Sequence, residues 1–240
     1  MRFKISTLAV MGVLSLFVAQ SASANAFVGG YDDCYPSATD SGVTSIFANI
    51  KTPSTYPVVG SNSGSSAWVM ITGNDSHTIY AQVGWEKSYG ISSKQNNAGD
   101  GVHYFYEINY GGSADNDIKV FNPVGPDQGV THAYRLYNDG KGNFVGTEDG
   151  AQIGSYSAFK GTGVTFAEEL NGTNQWAAAY PGSASSPAVF DSLRYFFNGT
   201  TYYSPGLFWV NNAYGGSDRT NYKYGVDGSS SYIKFWDTRY

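Results

Sequence analysis

The 240-residue chain has one cysteine, three histidines, eight prolines and only 14% charged residues, and each scarcity excludes something. Cys34 has no intrachain partner, so no disulfide braces the fold even in a compartment that would permit one. It lies in Tyr31-Asp-Asp-Cys-Tyr-Pro36, and no histidine is spaced to serve it as a base, so it reads as structural rather than nucleophilic. His77, His103 and His132 are isolated and no His-Glu-x-x-His occurs, so no metal is expected and no other cofactor is called for. Asp32-Asp33 and Asp115-Asn-Asp117 come nearest to calcium spacing but read as turn or cap residues. There is no Gly-x-Ser-x-Gly elbow for a serine hydrolase. Fourteen basic against 19 acidic residues give a net charge of -5 with no Lys/Arg cluster, which argues against nucleic acid as a partner. No window of ten or more residues carries helical periodicity.

What is present begins with an address. Arg2 and Lys4 precede an apolar stretch from Leu8 to Ala19 and a small-residue segment, Ser21-Ala-Ser-Ala24. This is the pattern of a secretory signal peptide cleaved after Ala24, with Ala26 the alternative, and its apolar run is too short to span a bilayer. No second run of spanning length follows, so a secreted protein with no membrane contact after signal removal is expected, as a monomer. The chain divides into a signal peptide (1–24), an N-terminal extension (25–42) and a single domain (43–240).

That domain is patterned with period two. Segments rich in Val, Ile, Tyr, Phe and Thr, bounded by Gly, Asn, Asp and Pro, predict strands at 43–51, 66–72, 78–87, 102–110, 117–121, 131–137, 143–147, 163–170, 189–197, 206–211 and 231–236. Asn138-Asp-Gly140 marks a hairpin. Many short strands without helices predict an all-β sandwich or barrel, and the 39 aromatic residues supply a core. Alternation over 78–87 sets Ile79, Ala81, Val83 and Trp85 on one face and Tyr80, Gln82, Gly84 and Glu86 on the other. Over 102–110 it sets Tyr104, Tyr106 and Ile108 against His103, Phe105 and Glu107. Solvent exposure is the ordinary fate of the second face.

Glutamate is scarce, and Glu86, Glu107, Glu168 and Glu169 fall inside predicted strands, where glutamate is disfavoured. Four segments, Ser66-Ala-Trp-Val-Met-Ile-Thr-Gly73, Ile79-Tyr-Ala-Gln-Val-Gly84, Tyr104-Phe-Tyr-Glu107 and Phe166-Ala-Glu-Glu169, resemble in order and spacing the core of the eqolisins, the G1 glutamic peptidases. Ala48-Asn-Ile-Lys-Thr-Pro53 and the stretch from Pro187 to Phe196 resemble further strands of that family, and Gln82-Val-Gly-Trp85 is also similar to neprosin-type glutamic peptidases. The resemblance implies a concanavalin-like antiparallel β-sandwich with a cleft on its concave face. It also implies a Gln82/Glu168 catalytic pair, with Trp68, Phe105 and Glu107 binding substrate beside it. Thr72 stands where the family has Asp, and Phe105 where it has Trp.

Alternation leaves the catalytic glutamate open. Glu168 shares a face with Val164, Phe166 and Leu170, and Glu169 shares one with Thr165 and Ala167, so Glu169 is the alternative if the cleft face is the polar one. The function implied is a secreted acid endopeptidase acting on polypeptide, Glu serving as general base and acid and the Gln amide donating to the oxyanion. The rival reading is a non-catalytic carbohydrate-binding sandwich using exposed aromatics, with a two-carboxylate glycosidase a lesser option.

Overall fold

The computed structural model describes residues 26–90, 99–111, 117–172, 177–203, 208–213, 224–229 and 232–239. The signal-peptide segment and Asp115 lie outside the described residues, and no helix among those described is long and apolar enough to cross a membrane. Two antiparallel sheets form a sandwich. The seven-stranded sheet contains β1 (Ala26–Asp33), β3 (Ser63–Thr72), β4 (Ile79–Tyr89), β5 (Gly101–Tyr110), β6 (Asp117–Asn122), β10 (Gly163–Asn171) and β14 (Phe208–Ala213), in the order β14-β1-β10-β3-β4-β5-β6. The other contains β2 (Val43–Lys51), β7 (Thr131–Asn138), β8 (Asn143–Glu148), β9 (Ala151–Ser157), β12 (Ser186–Phe197), β15 (Tyr224–Ser229) and β16 (Tyr232–Asp237), in the order β15-β16-β12-β2-β7-β8-β9. Here β11 (Gly182–Ser183) and β13 (Thr200–Tyr203) pair with β12.

Period-two patterning generates these strands because each buries one set of alternate side chains between the sheets. Ala67, Val69 and Ile71 of β3, Ala81, Val83 and Trp85 of β4, and Tyr104, Tyr106 and Ile108 of β5 meet Ile46, Ala48, Ile50, Tyr134, Leu136 and Phe190 of the opposing sheet in one core. Ile79 is only half-buried, since it begins β4 at the end of the sandwich. The hairpin at Asn138-Asp-Gly140 joins β7 to β8, with the Asp139 carboxylate accepting from the Lys141 and Asn143 amides and Gly140 at φ 73°.

Residues 26–33, expected to lie in an N-terminal extension, instead form β1, paired with both β10 and β14. Gly29 is what lets β1 approach β10, since a Cβ there would come within 2.6 Å of the Ala167 Cβ. The second face of β3 and β10 also departs from expectation. Every residue of both strands is buried, so the outer face of the seven-stranded sheet is packed rather than solvated. Trp68, Met70, Phe105 and Ala167 form a second apolar cluster there, flanked by Tyr80 and Phe121.

Candidate active site

The outer face of the seven-stranded sheet is ordered in cross-strand rows. One row runs Thr165, Met70, Gln82, Glu107, Lys119; the next runs Ala167, Trp68, Gly84, Phe105, Phe121; the third runs Glu169, Ser66, Glu86, His103. Gln82, Trp68, Phe105, Glu107 and Glu169 are thus brought together on one face. Gly84 is required in the middle row, where a Cβ would meet the Trp68 backbone at 2.7 Å.

Glu168, expected as the catalytic carboxylate, is not on this face. It points between the sheets with Val164 and Phe166, is 0% exposed, and has no hydrogen-bond partner for either oxygen. Burial, reinforced by the Asp237 carboxylate, pushes its pKa well above the ordinary carboxylate range and so disfavours its charged form. The expected convergence of Gln82 and Glu168 on one cleft therefore fails. The alternative, Glu169, is the carboxylate of β10 that shares the face of Gln82; it accepts a 2.8 Å hydrogen bond from Trp68 Nε1 and is 9% exposed.

Glu169 is not in the row of Gln82. Thr165 is, and Glu169 lies four residues further along β10, about 13 Å away along the strand direction. Gln82 also turns toward the opposite neighbour: its Nε2 donates to Glu107 Oε2 at 2.9 Å, and Glu107 Oε1 accepts from the Tyr80 hydroxyl at 2.7 Å. The Gln/Glu contact present is therefore Gln82 with Glu107.

Lys119 organises the centre. Its ammonium donates to Glu86 Oε2 at 2.6 Å, lies 3.3 Å from Glu107 Oε2, and sits 4.5 Å from the centre of the Phe105 ring. Burial disfavours the ammonium, but Glu86 and Glu107 outweigh it and raise its pKa. Burial likewise works against the Glu107 carboxylate; Lys119, Tyr80 and Gln82 overcome it and hold Glu107 below the ordinary range. Asp117 moves the other way, pushed up to about 8 by burial and by the Glu107 charge. Glu107 and Asp117 are thus driven in opposite directions, the charge of one opposing ionisation of the other. Several buried polar atoms of this face have no partner among the described residues: Thr165 Oγ1, Ser66 Oγ and both ring nitrogens of His103.

Lys119, Tyr80, Asp117 and Glu86 were not singled out as site residues from the sequence. The parity that put Gln82 on the face of Tyr80 and Glu86 was the available signal, and Asp-Ile-Lys-Val-Phe121 places Asp117 and Lys119 on a common face in the same way. His132, read as isolated, is not: its Nδ1 lies 2.7 Å from Glu148 Oε1 and 2.9 Å from Asp149 Oδ2, where β7 begins and β8 ends in the other sheet. One imidazole nitrogen and two carboxylate oxygens suit a divalent cation, and this is the group among the described residues that could hold one.

No family model and no curated protein matches the sequence. Solved structures do match. A scytalido-glutamic peptidase bound to a peptide-based transition-state analogue has a TM-score of 0.59 and 14% identity, over 89% of this chain and 98% of that one. SCP-B, a member of the eqolisin family of peptidases in complex with the tripeptide Ala-Ile-His, has a TM-score of 0.59 and 12% identity over the same shares. The chain has the β-sandwich fold of the eqolisins, as its strand motifs suggested.

Proposed function

We propose that the protein is a secreted acid endopeptidase that hydrolyses peptide bonds on the outer face of the seven-stranded sheet, with Glu169 as general base and acid and Gln82 as donor to the oxyanion. The observation that carries this reading is the collection of Gln82, Trp68, Phe105, Glu107 and Glu169 on one face of an eqolisin-like sandwich, with Glu168 excluded from it. The unpartnered Thr165, Ser66 and His103 atoms add support, because buried polar atoms of this kind suit a polar chain laid across them.

In this mechanism Glu169 takes a proton from water as the water oxygen bonds to the scissile carbonyl carbon. The negative charge passes to the carbonyl oxygen, which receives a hydrogen bond from the Gln82 amide. Glu169 then returns the proton to the departing nitrogen as the C–N bond breaks. Trp68 Nε1 orients the Glu169 carboxylate, and Glu107 orients the Gln82 amide. Because Lys119 and its neighbours keep Glu107 ionised into the acid range, the group holding Gln82 persists at the pH where such an enzyme works. Gln82 offers substrate the N–H that Glu107 does not take, and it must reach along the strand direction, since its row and that of Glu169 are offset by four residues of β10.

That offset favours a second reading, in which the face binds polypeptide without cleaving it, Thr165 standing in the row of Gln82 where a carboxylate would be needed. The two readings separate on denatured casein at pH 3–7, with pepstatin added to silence aspartic peptidases. Glu169→Gln should abolish cleavage and Gln82→Ala should reduce kcat by about 10²–10³, while Glu168→Gln keeps activity per folded molecule. Undiminished cleavage by Glu169→Gln would remove Glu169 as the base, and no cleavage by the wild type would leave the binding reading.

A further inference from the structure

The outer face of the nine-stranded sheet carries a second assembly with different chemistry. Strand registers align Tyr203 of β13, Arg194 of β12, Phe47 of β2 and Arg135 of β7 in one row, alternating aromatic and guanidinium groups. Phe196 and Tyr137 belong to the adjacent row. Together they line a depression with a cavity volume of about 590 Å³. The Arg194 guanidinium lies 4.0 Å from the centre of the Phe47 ring, and that of Arg135 lies 4.5 Å from the centre of the Tyr137 ring. Arg135 Nε also donates to Ser45 Oγ at 3.4 Å. Among the described residues, neither arginine is paired with a carboxylate and no acidic residue lines the depression, in a chain whose net charge is -5.

We propose that this face is a binding site for an acidic polysaccharide. A guanidinium stacked on a ring is pre-oriented, so its fork meets a carboxylate or sulfate bidentately with little further ordering. Arg135 and Arg194 stand two strands apart, about 9.6 Å, with Phe47 between them. That spacing suits a chain bearing anions at intervals better than one small anion. The Tyr203 ring, 71% exposed, and the Phe196 ring, 36% exposed, offer apolar surface to the C–H faces of sugars.

A peptide fits less well. A polyanionic peptide would find no strand edge at β2 for its amides to pair with, because β2 is flanked by β12 and β7. Hydroxyl and amide side chains at the same place, Thr44, Thr201 and Asn138, serve the hydroxyls of a glycan instead.

The test is titration calorimetry of the mature chain with polygalacturonate and with dextran sulfate, neutral dextran as blank and poly-L-glutamate as the peptide counterpart. Binding to at least one acidic glycan, weakening with salt and absent for dextran, is expected, and the two polymers distinguish carboxylate from sulfate. Arg135→Ala and Arg194→Ala should each weaken it by about tenfold, the loss of one charge-assisted contact. Tyr203→Ala, at a side chain 71% exposed, should weaken glycan binding and leave the circular dichroism unchanged. Arg135→Lys and Arg194→Lys serve if the alanine variants do not fold. Absence of binding to both glycans, unaltered binding in the double arginine variant, or poly-L-glutamate bound as tightly through the same arginines would overturn the proposal.

Discussion

Glu168→Gln tests the placement on which the candidate site depends, and its effect is read in folding rather than catalysis. Glu168 is fully buried, both oxygens lack partners, and the Asp237 carboxylate nearby further opposes ionisation. An acid whose folded pKa is raised contributes its full stability below its unfolded pKa of about 4.3 and loses it as pH rises toward the folded value. Within that window the unfolded chain sheds a proton that the folded chain keeps, at about 1.4 kcal/mol per pH unit. Glutamine has no such proton and nearly the same volume. Urea unfolding of both proteins at pH 3, 5, 6 and 7 should therefore give a difference that is flat near pH 3 and then shifts in favour of Glu168→Gln, approaching about 1.4 kcal/mol per pH unit between the unfolded and the folded pKa. Asp117, also raised, has the same sign but titrates in both proteins and cancels. A difference independent of pH would mean that Glu168 ionises in the folded state. The two glutamates would then be exchanged between faces, and the assignment of Glu169 would fall with that of Glu168.

Lys119→Met should destabilise the protein by about 3–5 kcal/mol at pH 7, because it leaves the buried Glu86 and Glu107 carboxylates without their cation. Glu107, held below the ordinary range, contributes stability above its unfolded pKa that is lost as pH falls through the folded one. The deficit of Lys119→Met should accordingly shrink in acid, and urea midpoints that fall equally at pH 3 and pH 7 would contradict the ion cluster. Cys34 is buried, and its thiol is pushed up to about 11 by burial and the Asp32 and Asp33 charges despite a lowering contribution from Tyr195. Ellman's reagent should label it slowly at pH 8 in the native protein and rapidly in urea, and fast native labelling would place it at the surface.

The strands were legible where alternation was strict, and the reason is local: in β4 and β5 one parity is apolar and joins the core while the other carries Gln82, Glu86, His103 and Glu107, so their faces follow from the sequence alone. β1 was not legible, since Ala-Phe-Val-Gly-Gly-Tyr-Asp-Asp contains two glycines and two acids and is held as a strand by β10 and β14. The site illustrates the same limit more sharply. Parity separates Glu168 from Glu169 but carries no sign, because β10 is buried on both faces and both of its faces contain apolar residues. The sign comes from one long-range fact, the register of Ala167 with Trp68, which sets Glu169 on the face of the Trp68 ring and Glu168 against the core.

Lys119 is invisible for a related reason. A lone lysine in Asp-Ile-Lys-Val-Phe121 reads as solvated until two carboxylates, from β4 and β5, close on it. What assembles this face is therefore pairing across strands that are remote in sequence. The same pairing imposes its chemistry: Lys119 neutralises Glu86 and Glu107, and Glu107 binds the Gln82 amide. Glu169, which accepts from Trp68 Nε1 on the same face, is the base in the mechanism proposed above.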